Sequence, residues 1–157
     1  MEEKKQRHFV LVHGACHGAW CWYKLQPLLE AAGHRVTAFD LSASGIDPKS
    51  IDELRTFSDY TIPLFKVMES ISPDEKVVLV GHSLGGMNLA FAMDKYSQKI
   101  SVAVFVTAYM PDTVHRPSYV LEQISLGRLG FIKNVDRKYQ RYQHISFGRV
   151  LWNLDDI

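Results

Sequence analysis

Ser83 is the side chain best placed to do covalent chemistry. It stands in Gly81-His82-Ser83-Leu84-Gly85, with Gly86 directly after. The residues before it, Lys76-Val77-Val78-Leu79-Val80, form the short apolar, β-branched run of a buried strand, and residues 84–96 carry helical spacing. A strand, then G-x-S-x-G, then a helix makes a sharp turn that lifts a hydroxyl into an exposed, strained position. The glycines stand where neighbouring backbone comes too close for a side chain. The chemistry is acyl transfer, in which the hydroxyl attacks a carbonyl carbon and a covalent acyl intermediate is then hydrolysed. A lone serine at this place also reads as a helix N-cap. The strand before it, the helix after it and Gly86 favour the nucleophile.

A serine nucleophile needs two N–H groups aimed at the developing oxyanion. The N–H of Leu84, next after Ser83, supplies one. The loop after the first strand supplies the other; here it is His13-Gly14-Ala15, and the N–H of Ala15 is the natural donor. A base is also required. The chain has 7 histidines. His82 adjoins the serine and is expected to be packed and hydrogen-bonded, because adjacent side chains on such a turn point different ways. His13 and His17 are expected to be structural members of their loop, and His34 to lie on the surface past a helix end. His144, with Asp155 or Asp156, is the late pair weighed as base and acid. Without a base Ser83 stays a neutral alcohol, a loss on the order of 10⁶ in kcat.

The elements that position these residues alternate. Residues 9–12 read as a strand, residues 23–32 as a helix with Leu25, Leu28 and Leu29 at core spacing, and Gly33 as its C-cap residue. Residues 35–39 form a second strand, and 40–48 a loop. Ser50 and Glu53 are spaced as a capping box that opens a helix from about Ile51 to Ser72, interrupted by Pro63. The strand over 76–80, the helix after Ser83 and a strand over 100–107 complete the series. This is an α/β pattern of parallel strands with crossover helices. After Pro111 the pattern decays, and Ile124 to Ile157 has no strong period.

Composition narrows the function. A chain of 157 residues makes one core. Lys+Arg number 18 and Asp+Glu 17, so neither nucleic acid nor a membrane is expected as a partner. No apolar run has transmembrane length. The charged start Met1-Glu2-Glu3-Lys4-Lys5-Gln6-Arg7 has no signal core, so a cytoplasmic location is the expectation. Cys16 and Cys21 are expected to be reduced thiols.

Four stretches carry a resemblance. His13-Gly14-Ala15-Cys16-His17-Gly18-Ala19-Trp20, Leu28-Leu29-Glu30-Ala31-Ala32-Gly33-His34, Gly81-His82-Ser83-Leu84-Gly85-Gly86-Met87 and Met110-Pro111-Asp112 resemble the plant methylesterases, a group of α/β-hydrolases related to the α-hydroxynitrile lyases. The resemblance runs from about His8 to Gln123. It implies an α/β-hydrolase fold, hydrolysis of small hormone methyl esters of the methyl salicylate, methyl jasmonate or methyl indole-acetate type, and no metal or organic cofactor. Gly14, His82 and Leu84 resemble the esterases rather than the lyases. Residues 1–123 then form the N-terminal portion of the hydrolase domain, and 124–157 a divergent tail. No stretch reads as the family's late strands, so its triad Asp and His have no counterpart. An inactive, C-terminally truncated member is the leading expectation; an active esterase with a recruited base and a non-catalytic binder of a small aromatic acid or ester are the alternatives. The strand over 100–107 is then an exposed apolar edge unless residues from Ile124 onward cover it, which nothing in their pattern shows, and Tyr109 and Met110 are expected to line what remains of the pocket.

Overall fold

The computed structural model describes residues 6–112, 114–115, 119 and 150–153. Strands β1 (His8–Val12), β2 (Arg35–Ala38), β3 (Val77–His82) and β4 (Ile100–Val106) run parallel, and β5 (Val150–Asn153) joins the sheet antiparallel. The strand order is β2-β1-β3-β4-β5. The chain leaves β1 toward one edge and returns to the other side of it at β3. The crevice between the C-terminal ends of β1 and β3 is thus the topological switch point, where open α/β sheets hold their ligands.

Side-chain alternation divides the core between the two sheet faces. Val10, Val12, Val77 and Leu79 face helices α2 (Phe57–Ser70) and α3 (Gly85–Tyr96), with Leu64, Met68 and Leu89 beside them. Leu11, Val78 and Val80 face Trp22 and helix α1 (Leu25–Ala31). The residues on the first face that reach zero exposure, such as Leu64 and Leu79, each contribute roughly 1.5–3 kcal/mol by leaving water. Of the three leucines at core spacing in α1, Leu25 and Leu29 pack inward, but Leu28 is 68% exposed. Gly33 takes φ +88°, and the N–H of His34 donates to the Leu29 carbonyl at 3.1 Å, closing α1 as its glycine foretold.

Two boundaries differ from the sequence reading. The Ser50–Glu53 capping box forms, yet it opens only a 3₁₀ turn, Ile51–Glu53. Thr56 is extended and builds a second capping box with Asp59, and α2 starts there and runs through Pro63. The edge of β4 is also not bare. β5 pairs with it from Val102 to Phe105 and covers the apolar template. The boundary placed at residues 123 and 124 lies outside the described residues.

Candidate active site

β3 ends at His82, and α3 begins at Gly85. Between them Ser83 has φ +53°, a left-handed conformation that a non-glycine residue holds only under constraint. Backbone bonds supply that constraint. The Ser83 N–H donates to the Val106 carbonyl at 3.3 Å, and the Ser83 carbonyl accepts from Gly86 at 3.2 Å and Tyr109 at 3.0 Å. The helix must also approach the end of β1. A Cβ on Gly85 would lie 2.7 Å from the Val12 carbonyl oxygen and 2.8 Å from that of His13.

The loop after β1 rests on this turn. A Cβ on Gly14 would lie 2.9 Å from the Ser83 Cβ and 3.1 Å from the His82 carbonyl oxygen. His13 is fully buried; its Nε2 accepts the Leu41 N–H at 3.0 Å, so its Nδ1 carries the proton and donates to the Gly14 carbonyl at 2.7 Å. Burial pushes the His13 pKa down against the opposing pull of that bond, which suits a neutral ring. With the Gly14 carbonyl pinned, planarity of the trans peptide sends the Ala15 N–H the opposite way. His17 Nδ1 donates to the Ala15 carbonyl at 2.8 Å, and Cys16 turns the chain at φ +58°. Among the described residues neither the Ala15 nor the Leu84 N–H has an acceptor.

Ala15 and Leu84 line an open cleft of about 660 Å³ together with residues 43–45, Ile51 of the 3₁₀ turn and the start of α2. Trp20, Ile51, Leu54 and Phe57 give it apolar walls, and Arg55 stands among them. The Ser44 and Tyr60 hydroxyls are 3.2 Å apart on the same wall, and burial pushes the Tyr60 phenol up. Asp40 ties the two sides of the cleft together, accepting the Ala19 N–H at 2.6 Å on one oxygen and the Ile46 N–H at 3.0 Å on the other. Tyr109 and Met110 do not line this cleft. Tyr109 instead holds the Ser83 carbonyl, and Met110 packs on the core.

Among the described residues no histidine ring or carboxylate hydrogen-bonds the Ser83 hydroxyl. His82 is half-buried and lies edge-on to His17, ring centres 6.1 Å apart; it is packed as expected but makes no side-chain hydrogen bond there. His34 is half-buried and accepts the Arg7 N–H at 3.3 Å. His144, Asp155 and Asp156 lie outside the described residues, and that pair puts the histidine before the acid, the reverse of the α/β-hydrolase order. A pair in the forward order went unread in the sequence. Asp112 and His115 meet at 2.8 Å, but Asp112 also accepts the N–H groups of Val114 and His115, so the pair caps its own turn, and neither residue lines the cleft. Cys16 and Cys21 are free thiols, and burial pushes Cys21 up. No three His, Cys, Asp or Glu side chains among the described residues group to hold a metal ion.

The family model described as the alpha/beta hydrolase fold matches residues 7–153. Salicylic acid-binding protein 2 of Nicotiana tabacum is 70% identical over 120 residues, which are 76% of this chain and 46% of that protein. Methylesterase 1 of Arabidopsis thaliana is 66% identical over 123 residues, 78% of this chain and 47% of that protein. The crystal structure of polyneuridine aldehyde esterase superimposes with a TM-score of 0.76 at 62% identity, covering 78% of this chain and 48% of that one. The chain thus spans about half the length of the relatives it matches. It belongs to the α/β-hydrolase fold family, and its high-identity relatives include plant methylesterases.

Proposed function

We propose that this chain carries the nucleophile half of a site that hydrolyses small carboxylic methyl esters, of the methyl salicylate, methyl jasmonate or methyl indole-acetate type. The observation that carries the reading is Ser83 at φ +53° with the Gly14–Ala15 loop directly against it and two unengaged N–H groups, of Ala15 and Leu84, beside it. In this reading the Ser83 oxygen attacks the ester carbon and gives its proton to a base. The carbonyl oxygen, now negative, takes hydrogen bonds from Ala15 and Leu84, worth about 2.7–4 kcal/mol per donor in such sites. Methoxide leaves with a proton as methanol, and water then cleaves the acyl-serine to the acid and restores Ser83.

No described residue is placed as the base. The reading therefore assigns this chain by itself only residual turnover, of the order that an oxyanion hole and binding sustain without a triad histidine, about 10³–10⁴ over water. The test is release of acid from methyl salicylate and of p-nitrophenol from p-nitrophenyl acetate, beside Ser83→Ala. Rates within an order of magnitude of the control fit the reading. Full serine-dependent turnover would mean that a base has been recruited.

A second reading rests on the cleft itself. Its volume and apolar walls suit a small aromatic acid or ester held without turnover. The relative at 70% identity is named for binding salicylic acid. Thermal stabilisation by salicylate that persists in Ser83→Ala supports this reading, and no shift at millimolar salicylate removes it.

A further inference from the structure

We propose that Arg55 makes its part of the cleft wall a subsite for a carboxylate carried by the ligand. The favoured occupant then has an apolar body, an ester or acyl group beside Ala15 and Leu84 and a carboxylate beside Arg55, as in a half-ester of a dicarboxylic acid. The inference deepens the ester-hydrolase reading, on which the orientation of the ligand rests.

Arg55 lines the same cleft as Ala15 and Leu84; among the described residues it is the one Lys or Arg that does so, and no Asp or Glu among them lines it. The acids near Arg55 in sequence are engaged elsewhere. Glu53 accepts the Ser50 N–H at 2.7 Å. Asp59 accepts the backbone N–H groups of Thr56 at 2.9 Å and Arg55 at 3.0 Å. Asp40, below the cleft, is spent on Ala19 and Ile46. Among the described residues no carboxylate pairs with the Arg55 guanidinium.

The start of α2 does not supply the attraction, because the Asp59 carboxylate sits in its first turn, accepts the N–H of the cap residue Thr56 and offsets its dipole. The positive charge comes from the side chain. Leu54, Ile51 and Phe57 give the cleft beside Arg55 apolar surface for the body of such a ligand, and the exposed guanidinium offers a carboxylate a fork of N–H donors. The Ser44 hydroxyl donates to the Ser42 carbonyl at 3.4 Å and lies 3.2 Å from the Tyr60 hydroxyl, so this pair is already engaged and the carboxylate contact falls to Arg55.

Monomethyl terephthalate and dimethyl terephthalate, whose two carboxyl groups lie on opposite sides of the ring, are the probes, with tryptophan fluorescence as the readout because Trp20 lines the cleft. The full chain carries Ser83→Ala, so binding is read without turnover. The half-ester is expected to bind about fivefold more tightly than the diester in low salt, with the ratio shrinking in 0.5 M NaCl. Arg55→Gln is expected to bring the ratio to one, and Arg55→Lys to retain part of it. Circular dichroism checks that each variant is folded. A ratio near one in the Ser83→Ala protein, or one that Arg55→Gln leaves unchanged, overturns the proposal. A preference for the half-ester that depends on Arg55, in a protein whose Ser83 takes no fluorophosphonate label, would keep the subsite and discard the hydrolase reading.

Discussion

The backbone N–H of Leu41 donates to Nε2 of His13 at 3.0 Å, and this bond decides which ring nitrogen of His13 carries the proton. Leu41 follows β2, whereas His13 follows β1. The exit of one strand thereby orients the Gly14 carbonyl after the other, through the 2.7 Å bond from His13 Nδ1. The direction of the Ala15 N–H is inherited from a buried neutral imidazole.

That arrangement predicts a pH response. Burial holds His13 below the ordinary histidine value of 6.5 despite its bond to Gly14. Burial, helped by the Arg35 guanidinium and opposed by Glu75, does the same to His8. When the folded pKa is lowered, the unfolded chain binds the proton more readily. The contribution of each ring is therefore complete above pH 6.5 and is lost as pH falls through 6.5 toward the native values. Urea midpoints should drop between pH 7.5 and 5.5, and His8→Gln should make the drop shallower. An equal drop in His8→Gln would remove His8 from the account.

The contact of Gly14 with the elbow predicts the outcome of Gly14→Ala. The added methyl would sit 2.9 Å from the Ser83 Cβ, so the loop must move. A loss of about 1–3 kcal/mol in stability is expected from overpacking. Labelling of Ser83 by a fluorophosphonate should slow at the same time, because the Ala15 N–H moves with the loop. Thermal denaturation and the labelling rate measure the two effects. An unchanged melting temperature with an unchanged rate would show that the loop does not press on Ser83 in solution.

The pairing of β5 with β4 predicts the behaviour of a chain lacking residues 150–157. Removing β5 exposes the backbone of Val102–Phe105 on an apolar strand. Such an edge templates intermolecular pairing. Light scattering at matched concentrations should rise sooner for the shortened chain than for the full one. Equal scattering would mean that the β4 edge is protected by something other than β5.

Local signals in the sequence settled the elbow. The apolar run before Gly81, the glycines around Ser83 and the helical spacing after it place β3 and α3 within a few residues of Val77–His82 and Gly85–Tyr96. Strand burial, a tight turn and helix periodicity each depend on neighbours in the chain, so they are written locally. Gly33 and the Ser50–Glu53 capping box are legible for the same reason. The helix start was not. Ser50–Glu53 and Thr56–Asp59 both have capping spacing, and only the packing of Leu64 and Met68 on the sheet decides which of them opens the long helix. The exposure of Leu28, the cover that β5 places on β4 and the meeting of Arg55 with Ala15 and Leu84 around one cleft were likewise decided by the tertiary structure. Each is a relation between segments far apart in the chain, set by which surfaces the folded sheet leaves to be covered, and no local period encodes it.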